Sequence, residues 1–322
     1  MEEVKKIKIK KHNIDKSFAS YFIKVGGLII LVLYSFSIIY PLVWGFMTSL
    51  KSNIDFSYFS RSLGLPNLER SQKEIFELKN YAEVFKYLVF EKSTSFYAGD
   101  TLIVHEKTID IFGMAFNSIL LPGTMAGLQS LLGAIMGYVL AKYPYKSSKV
   151  IYLFAVFMMT VPIVGTMPSM LEFLRATRLY DTYIGYFCCK FYFGGVYFLV
   201  FFSLFDAMPN SYAEAAEIDG ANQYTVLFRI ILPLQKNVIG TVFLIFFVQQ
   251  WNQYQDQMIY MPTFSTLAYA VYHLVNIGKV AELATVPGQL ASCMLLSIPV
   301  LVLFIFLKDK MMGNVTMGGI KG

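Results

Sequence analysis

Charge is what this sequence has least of. Only 15% of its 322 residues are Asp, Glu, Lys or Arg, against about 25% in soluble domains. A surface made from so few charges does not suit an ordinary soluble domain. Cysteine is scarce too: Cys188, Cys189 and Cys293 are the whole set, and all lie in apolar stretches. Neighbouring cysteines would form a strained bridge, and no C-x-x-C spacing exists to hold a metal. The three read as small buried hydrophobes. The three histidines lie outside the apolar runs, and His12 and His273 have no partners at metal-ligand spacing. No metal site is expected. A hydrolase embedded in a membrane would need His, Asp or paired Ser inside those runs. The chain also lacks G-x-x-x-x-G-K-[ST], so it has no phosphate-cradling loop of that type.

What is there instead is hydrophobic. Apolar residues make up 56% of the chain, with 29 Phe and 22 Tyr, and the mean hydropathy is +0.53. About 20 apolar residues in helical form cross a bilayer, and in lipid the backbone must satisfy its own polar groups. Six segments qualify: 25–50, 111–141, 150–171, 182–205, 237–255 and 283–307, of which only the fourth holds a charge, Lys190. The reading is an all-α membrane protein with six transmembrane helices. The first segment is too long for a signal-peptide core and is read as retained.

Lysines set the orientation. Seven of them fall in residues 1–24, Lys142, Lys146 and Lys149 fill the second-to-third loop, and Lys308, Lys310 and Lys321 lie at the C-terminus. With six spans all three regions share one side, which the positive-inside rule makes the cytoplasm. The net charge of +6 is thus a topology signal, and no nucleic acid is expected as a partner. The domain reading follows: a basic cytoplasmic N-terminus 1–24, a first span 25–50, an external loop 51–110, a core 111–308 carrying a cytoplasmic loop 206–236, and a cytoplasmic tail 309–322. The external loop holds eight basic and nine acidic residues, a turn signal at Leu65-Pro66-Asn67 and helical spacing around Glu74–Leu78. It is either a small folded element or a floppy loop. The second span carries Gly123-x-x-x-Gly127 and Gly133-x-x-x-Gly137, spacings that let helices approach closely in lipid.

The densest pattern lies between spans four and five. Ser211 and Glu214 have capping-box spacing, the alanines and glutamates after them favour helix, and Asp219-Gly220 supplies a C-terminal stop. A second helix should run toward Pro233, which stops or kinks it. The expected form is helix, turn, helix: a knob offered to a partner.

These residues resemble the signature loop of ABC importer permeases. Glu214-Ala215-Ala216, Gly220 four positions on, and Ile230-Ile231-Leu232-Pro233 match its E-A-A-x-x-x-G and I-x-L-P elements. With Asp219 and Ala221 the longer form is similar to the carbohydrate-uptake, maltose-type branch. Asn117-Ser118, Ala141-Lys142-Tyr143, Trp251-Asn252 and the Gly-rich end Gly318-Gly319-Ile320-Lys321-Gly322 resemble further landmarks, over roughly residues 20–322. The long 51–110 loop departs from simpler members.

The resemblance implies a type I importer permease bundle whose cytoplasmic coupling helix docks on an ATPase. Glu214, Ala215, Ala216, Asp219, Gly220, Ala221, Ile230 and Pro233 would form that coupling surface, with Glu214 facing a basic group, the alanines allowing close contact and Gly220 the turn. Gly318, Gly319 and Lys321 would reach the ATPase interface. Implied partners are two ABC ATPases, which bind the ATP and Mg that this chain does not, a second permease, an extracytoplasmic solute-binding protein, and lipid. The expected location is a bacterial inner membrane, multi-pass, with both termini cytoplasmic. No catalytic residue is expected. The expected cargo is a sugar or oligosaccharide, with peptide or polyamine as the alternative, and a secondary transporter is disfavoured by the uncharged cores of five spans.

A translocation pathway is sought among polar groups within spans, which are costly there. Gln249, Asn252, Gln253 and Asp256 fall on one face if span five is one helix, with Trp251 beside them. Amides and an indole suit polyol recognition. Asn117 is a candidate in span two, though packing suits it equally. Lys190 would snorkel or pair with another helix.

Overall fold

A computed structural model of the chain describes residues 18–58, 66, 76–143, 145–161, 165–190, 195–276 and 283–315. The N-terminal lysines up to Lys16, the 65–67 turn signal save for Pro66, the start of the 74–78 stretch and the tail residues Gly318, Gly319 and Lys321 lie outside the described residues. The chain divides into two compact units, Met1–Glu77 and Leu78–Gly322.

The first unit contains α1 (Phe18–Ser49) and α2 (Asn53–Tyr58). In α1, Leu28, Ile30, Leu33, Phe36 and Ile39 are all more than half exposed. A helix apolar all round and exposed all round is one whose surroundings are apolar. Its 27 residues Ile23–Ser49 are long and apolar enough to cross a membrane.

The second unit begins with α3 (Lys79–Tyr87) and the strands β1 (Phe90–Ala98) and β2 (Thr101–Ile109), which pair antiparallel from Phe90↔Ile109 to Ala98↔Thr101. The all-α expectation is corrected here: the chain is mostly helical, with one β-hairpin. Gly99-Asp100 closes the hairpin with Gly99 at φ +63°, the conformation that two-residue hairpin turns ask of their first position. This settles residues 90–109 as folded. The turn signal Gly-Asp between Ser/Thr/Tyr-rich and Leu/Ile/Val-rich runs was present in the sequence.

Beyond the hairpin the order is α4 (Ile111–Lys142), α5 (Lys146–Thr160), α6 (Thr166–Ala176), α7 (Tyr183–Lys190), α8 (Val196–Asp206), α9 (Ser211–Ile218), α10 (Gln223–Thr225), a π-helical segment Val226–Ile231, α11 (Leu232–Leu234), α12 (Lys236–Trp251), α13 (Tyr254–Tyr260), α14 (Leu267–Asn276) and α15 (Val286–Val315). Of the six expected spans, Ile23–Ser49, Ile111–Lys142 and Val286–Phe306 are single helices of spanning length. The continuous helices expected over 150–171 and 182–205 are each two helices, and so is 237–255. Val161, which precedes Pro162, is extended at φ −87° and ψ 115°, because the proline ring disfavours the helical region for its predecessor. Gly165 then starts α6 from φ +82°. Before α8, Gly195 stands at φ 105°, which only glycine adopts freely.

α4 is the centre of this unit, packed along α8 and α12 and touching α14 and β2. A Cβ at Gly137 would lie 2.8 Å from Phe201 Cβ and 2.9 Å from the backbone nitrogen of Phe202, while one at Gly133 would rest 3.5 Å from the Phe201 ring. The second of the two small-residue pairs therefore sets the α4–α8 approach. Gly127 has open space and Gly123 no contact nearer than 4.0 Å, so the first pair is not a packing motif within this chain. None of the cysteines is fully buried: Cys188 is exposed, and Cys189 and Cys293 are half-buried. The expectation for them is corrected to that extent.

Two apolar cores flank the length of α4. One gathers Phe90, Ile109, Met114, Phe247, Trp251 and Tyr269 beneath the hairpin, and the other gathers Tyr138, Phe201, Phe205, Ala216, Ile231 and Val242. Gly137→Val should separate α4 from α8 and cost about 1–3 kcal/mol, the range for overpacking. A fall in the thermal aggregation midpoint of the detergent-purified chain, larger than for Gly127→Val, is the expected readout.

Candidate functional site

The knob read from the sequence exists, and its capping differs from expectation. α9 starts at Ser211, but the preceding Asn210 is already helical at φ −71° and ψ −18° and makes no side-chain cap. The Ser211–Glu214 capping box is not formed: Ser211 is already inside the helix, and the Glu214 N–H that its hydroxyl would cap donates to the Asn210 carbonyl at 3.0 Å. Instead Lys142, the last residue of α4, donates its ammonium to Asn210 Oδ1 at 2.8 Å and to the Met208 carbonyl at 2.5 Å. The sequence-level cap is replaced by a tertiary tether.

The C-terminal stop forms as expected. Gly220 stands at φ +82°, its N–H donates to the Glu217 carbonyl at 3.0 Å, and the Ala221 N–H donates to the Ala216 carbonyl at 2.9 Å. These two bonds make a complete Schellman motif. No atom would touch a Cβ at Gly220, so this glycine is required for its backbone conformation and not for space.

Downstream, Asn222 caps α10 through Oδ1 and the Thr225 N–H at 2.8 Å. The π-helical turn that follows widens the backbone ahead of Pro233, whose ring conflicts with a carbonyl four residues back in a regular helix. The axis then bends by 73° between Gln223–Leu234 and Lys236–Trp251. A polar chain ties the turn to α4: Tyr143 OH donates to Gln223 Oε1, and Gln223 Nε2 donates to Glu217 Oε1 at 2.6 Å. Lys142, Tyr143, Asn210, Glu214 and Glu217 border a cleft of about 170 Å³. Asn210 and Gln223 have no signal in the sequence that marks them, because their roles depend on the end of α4.

The expected coupling residues divide between two faces. Ala216 is 7% exposed and sits in the core with Tyr138, Phe205 and Ile231. Ile230 and Ala221 are packed at the edge of that core. Glu214, Ala215, Asp219, Gly220 and Pro233 are exposed. The expectation that both alanines meet a partner is corrected: Ala216 seats α9 on its own bundle and Ala215 faces outward. Ile218 is 86% exposed and Tyr224 77%, with Phe228 and Tyr212 about half exposed. Large apolar groups this bare, close to lysines and glutamates, make this face a candidate docking surface.

The expected pathway residues are also redistributed. Asn117 is buried; its Nδ2 donates to the Ser265 carbonyl at 3.0 Å and its Oδ1 accepts from Tyr183 OH at 2.8 Å. Beside it Ser118 Oγ accepts from the Leu267 N–H at 2.8 Å. The Asn-Ser pair thus clasps α4 to the segment before α14. Trp251 is 2% exposed and packs on Phe247 at 5.7 Å between ring centroids, so it belongs to the core. Because α12 stops at Trp251 and α13 begins at Tyr254, Gln249, Asn252, Gln253 and Asp256 do not share a helix face. No Pro or Gly marks that break. Asp256 instead forms an ion pair with Lys190, which realises the pairing alternative for that lysine.

A further polar cluster fixes the hairpin. Asp181 is buried at φ +59°, a conformation Asp tolerates better than most residues. Its carboxylate accepts from Thr263 Oγ1 at 2.7 Å and Thr263 N–H at 3.1 Å, and stands 3.1 Å from His105 Nδ1 on β2. Phe96 packs edge-on against Tyr180 at 4.8 Å, and Lys107 lies 3.9 Å from the Phe264 ring centre. Loss of surrounding water holds the Lys107 ammonium below the usual lysine range, although Asp181 pulls it the other way. Burial, with Lys92 as a smaller cause, keeps His273 below its usual value. Among the described residues, no three His, Cys, Asp or Glu side chains converge as a metal site would require.

Residues 129–255, from mid-α4 to the start of α13, match the family described as "Binding-protein-dependent transport system inner membrane component". The chain is 25% identical over 305 residues to the diacetylchitobiose uptake system permease NgcG of Streptomyces coelicolor, covering 90% of this chain and 86% of that one. It is 24% identical over 214 residues to the arabinooligosaccharides transport permease AraQ of Bacillus subtilis, covering 66% and 74%. Over that stretch the chain is similar to the inner-membrane permeases of binding-protein-dependent importers. In fold this chain is similar to a chain of a bacterial ABC transporter involved in the import of the acidic polysaccharide alginate, with a TM-score of 0.70 over 91% of this chain and 98% of that one at 18% identity. It has the type I importer fold, lies in the membrane through several apolar helices, and is a transport component and not an enzyme.

Two outcomes test this geometry. Lys142→Met removes the tether and should speed limited proteolysis between residues 207 and 222 severalfold while membrane insertion is retained, since charge-assisted bonds contribute about 1.5–3 kcal/mol. Asp181→Ala leaves the Thr263 donors buried without their acceptor, at about 1–3 kcal/mol, and should raise amide exchange across 90–109 but not across 207–235.

Proposed function

We propose that this permease is one membrane subunit of an ATP-driven importer that takes up a sugar or oligosaccharide. The named relatives carry arabinooligosaccharides, diacetylchitobiose and, in Streptococcus pneumoniae, maltodextrin. That agreement among oligosaccharide importers supports the cargo class. Six membrane crossings are proposed, with α5–α6 and α7–α8 each making one broken span and both termini on the cytoplasmic side. α9 is the coupling helix on that side, and 206–236 the coupling loop. The hairpin lies on the opposite side, where an extracytoplasmic binding protein delivers the cargo.

The observation that carries the mechanism is the two-faced coupling helix. Its outward face offers Glu214, Ala215 and Ile218, while Ala216 locks its inner face into the core shared with α4, α8, the π-helical turn and α12. A push on α9 by an ATPase closing on ATP and Mg has no soft joint in which to dissipate, because close-packed cores transmit displacement. The displacement passes through the 73° bend into α12. Two ATPase subunits and a second, different permease complete the assembly, and the tail residues Gly318, Gly319 and Lys321 reach toward the ATPases.

Affinity purification of the tagged chain from native membranes in mild detergent tests this reading. Recovery of an ATPase with a phosphate-binding loop and a second permease is expected, with the ATPase lost on Ile218→Asp and kept on Ile298→Ala. A chain that purifies alone and moves solute along an ion gradient in liposomes would overturn it.

A further inference from the structure

We propose that the Lys190–Asp256 pair, with Gln129 beside it, is a contact site for a neutral, polyhydroxylated substrate on the transport path. The inference rests on the sugar-importer reading and adds residues to it. Lys190 is the last residue of α7, and Asp256 lies in the first turn of α13. Asp256 sits next to the α12–α13 break, in a span that the sequence alone reads as continuous, and the ion pair brings Lys190 to it. Non-helical backbone at membrane depth is tolerated only where protein buries it or where it lines a water-filled cavity.

Exposure distinguishes those two cases. Where this chain presents itself to lipid, its exposed residues are apolar: Leu153, Phe154 and Phe157 on α5, and Leu301, Ile305 and Phe306 on α15. Around the α12–α13 break the exposed residues are Asn252 and Gln255, whereas Gln249, with the exposed Val248 before it, borders an apolar groove with Leu301 and Phe304. Amides facing hydrocarbon would be costly, so the surface at Asn252 and Gln255 faces water. The pair itself is not sealed, with side-chain exposures of 21% for Lys190 and 12% for Asp256.

The site also has acceptors without donors. Gln129 gives its Nε2 to the Lys190 carbonyl at 3.2 Å, which leaves its buried Oε1 without a partner. Behind the pair, Gln257 is wholly buried; its Nε2 donates to Tyr186 OH at 3.4 Å and its Oε1 is likewise unpartnered. A buried acceptor without a donor costs about 1–3 kcal/mol, and ligand hydroxyls are donors. Charge decides the ligand class. The ammonium and carboxylate neutralise each other, so a hydroxyl can accept from Lys190 while its neighbour donates to Asp256. An acidic or basic ligand would claim one partner and strand the other, which is strongly unfavourable for a partly buried charge.

The test is uptake kinetics in proteoliposomes containing the complete importer and its binding protein, with radiolabelled maltotriose, raffinose and arabinotriose as probes. Lys190→Gln, Asp256→Asn and the exchange Lys190→Asp with Asp256→Lys are compared with wild type. For the probe that wild type transports, the single variants should raise KM about tenfold. The exchange restores an ion pair but reverses donor and acceptor, so its KM should stay raised. Wild-type KM in the exchange variant, or in both single variants, overturns the contact role and makes the pair structural. Uptake of none of the probes by wild type, when a peptide or polyamine is taken up, overturns the sugar reading itself and the site with it.

Where a variant does not assemble, Cys189 decides. In a Cys188→Ser, Cys293→Ser background, the transported probe should slow maleimide labelling of this neighbour of Lys190 severalfold. Labelling unaffected by a saturating probe overturns the proposal.

Discussion

Close approach to α4 is the constraint on which the second unit depends. In lipid the helices gain little from hydrophobic exclusion, and packing has to hold them together. Gly137 allows the α8 backbone to lie where a Cβ would meet Phe201 and Phe202, and α12 packs along another side of the same helix. With α4 held between them, one of its ends can bind the loop through Lys142 and Tyr143, and the other can bind α7 and the segment before α14 through Asn117 and Ser118. Both ends of the permease are thus referenced to one helix.

This arrangement also orders the loop between α8 and α12. A short helix such as α9 is marginal in isolation, because helix nucleation is costly. Here it is held by a Schellman stop at Gly220, a lysine tether at Asn210 and a buried alanine at 216. The outward face stays free, with an isoleucine almost wholly exposed. The π-helical turn before Pro233 takes up the proline without ending the segment, and the bend at Gln235 redirects it into α12.

At the hairpin end the logic is polar. A buried carboxylate at Asp181 gathers Thr263 and His105 from separate segments, and aromatic contacts from Phe90 and Phe96 hold the two strands against α14 and Tyr180. Two strands alone are marginally stable in water. The sequence left residues 51–110 open between a small folded element and a floppy loop, and the hairpin owes its order to residues far along the chain. Its Gly-Asp turn was legible, but the partners that anchor its strands were not.

What the sequence alone determined is what depends on near neighbours: six apolar runs, the loop between the fourth and fifth, the left-handed stop at Gly220 and the kink at Pro233. Such features follow from backbone sterics and local hydrophobicity, and they survive in any tertiary context. Tertiary structure decided the rest. It broke the fifth run, where no Pro or Gly stands, set Ala216 inward and Ala215 outward, replaced the Ser211–Glu214 cap with Lys142, and turned Asn117 from a pathway candidate into a clasp. It also paired Lys190 with Asp256. Each of these is a contact between residues distant in sequence, and no local pattern records which distant group will satisfy a buried polar atom. Only the packing of the helices assigns the partner.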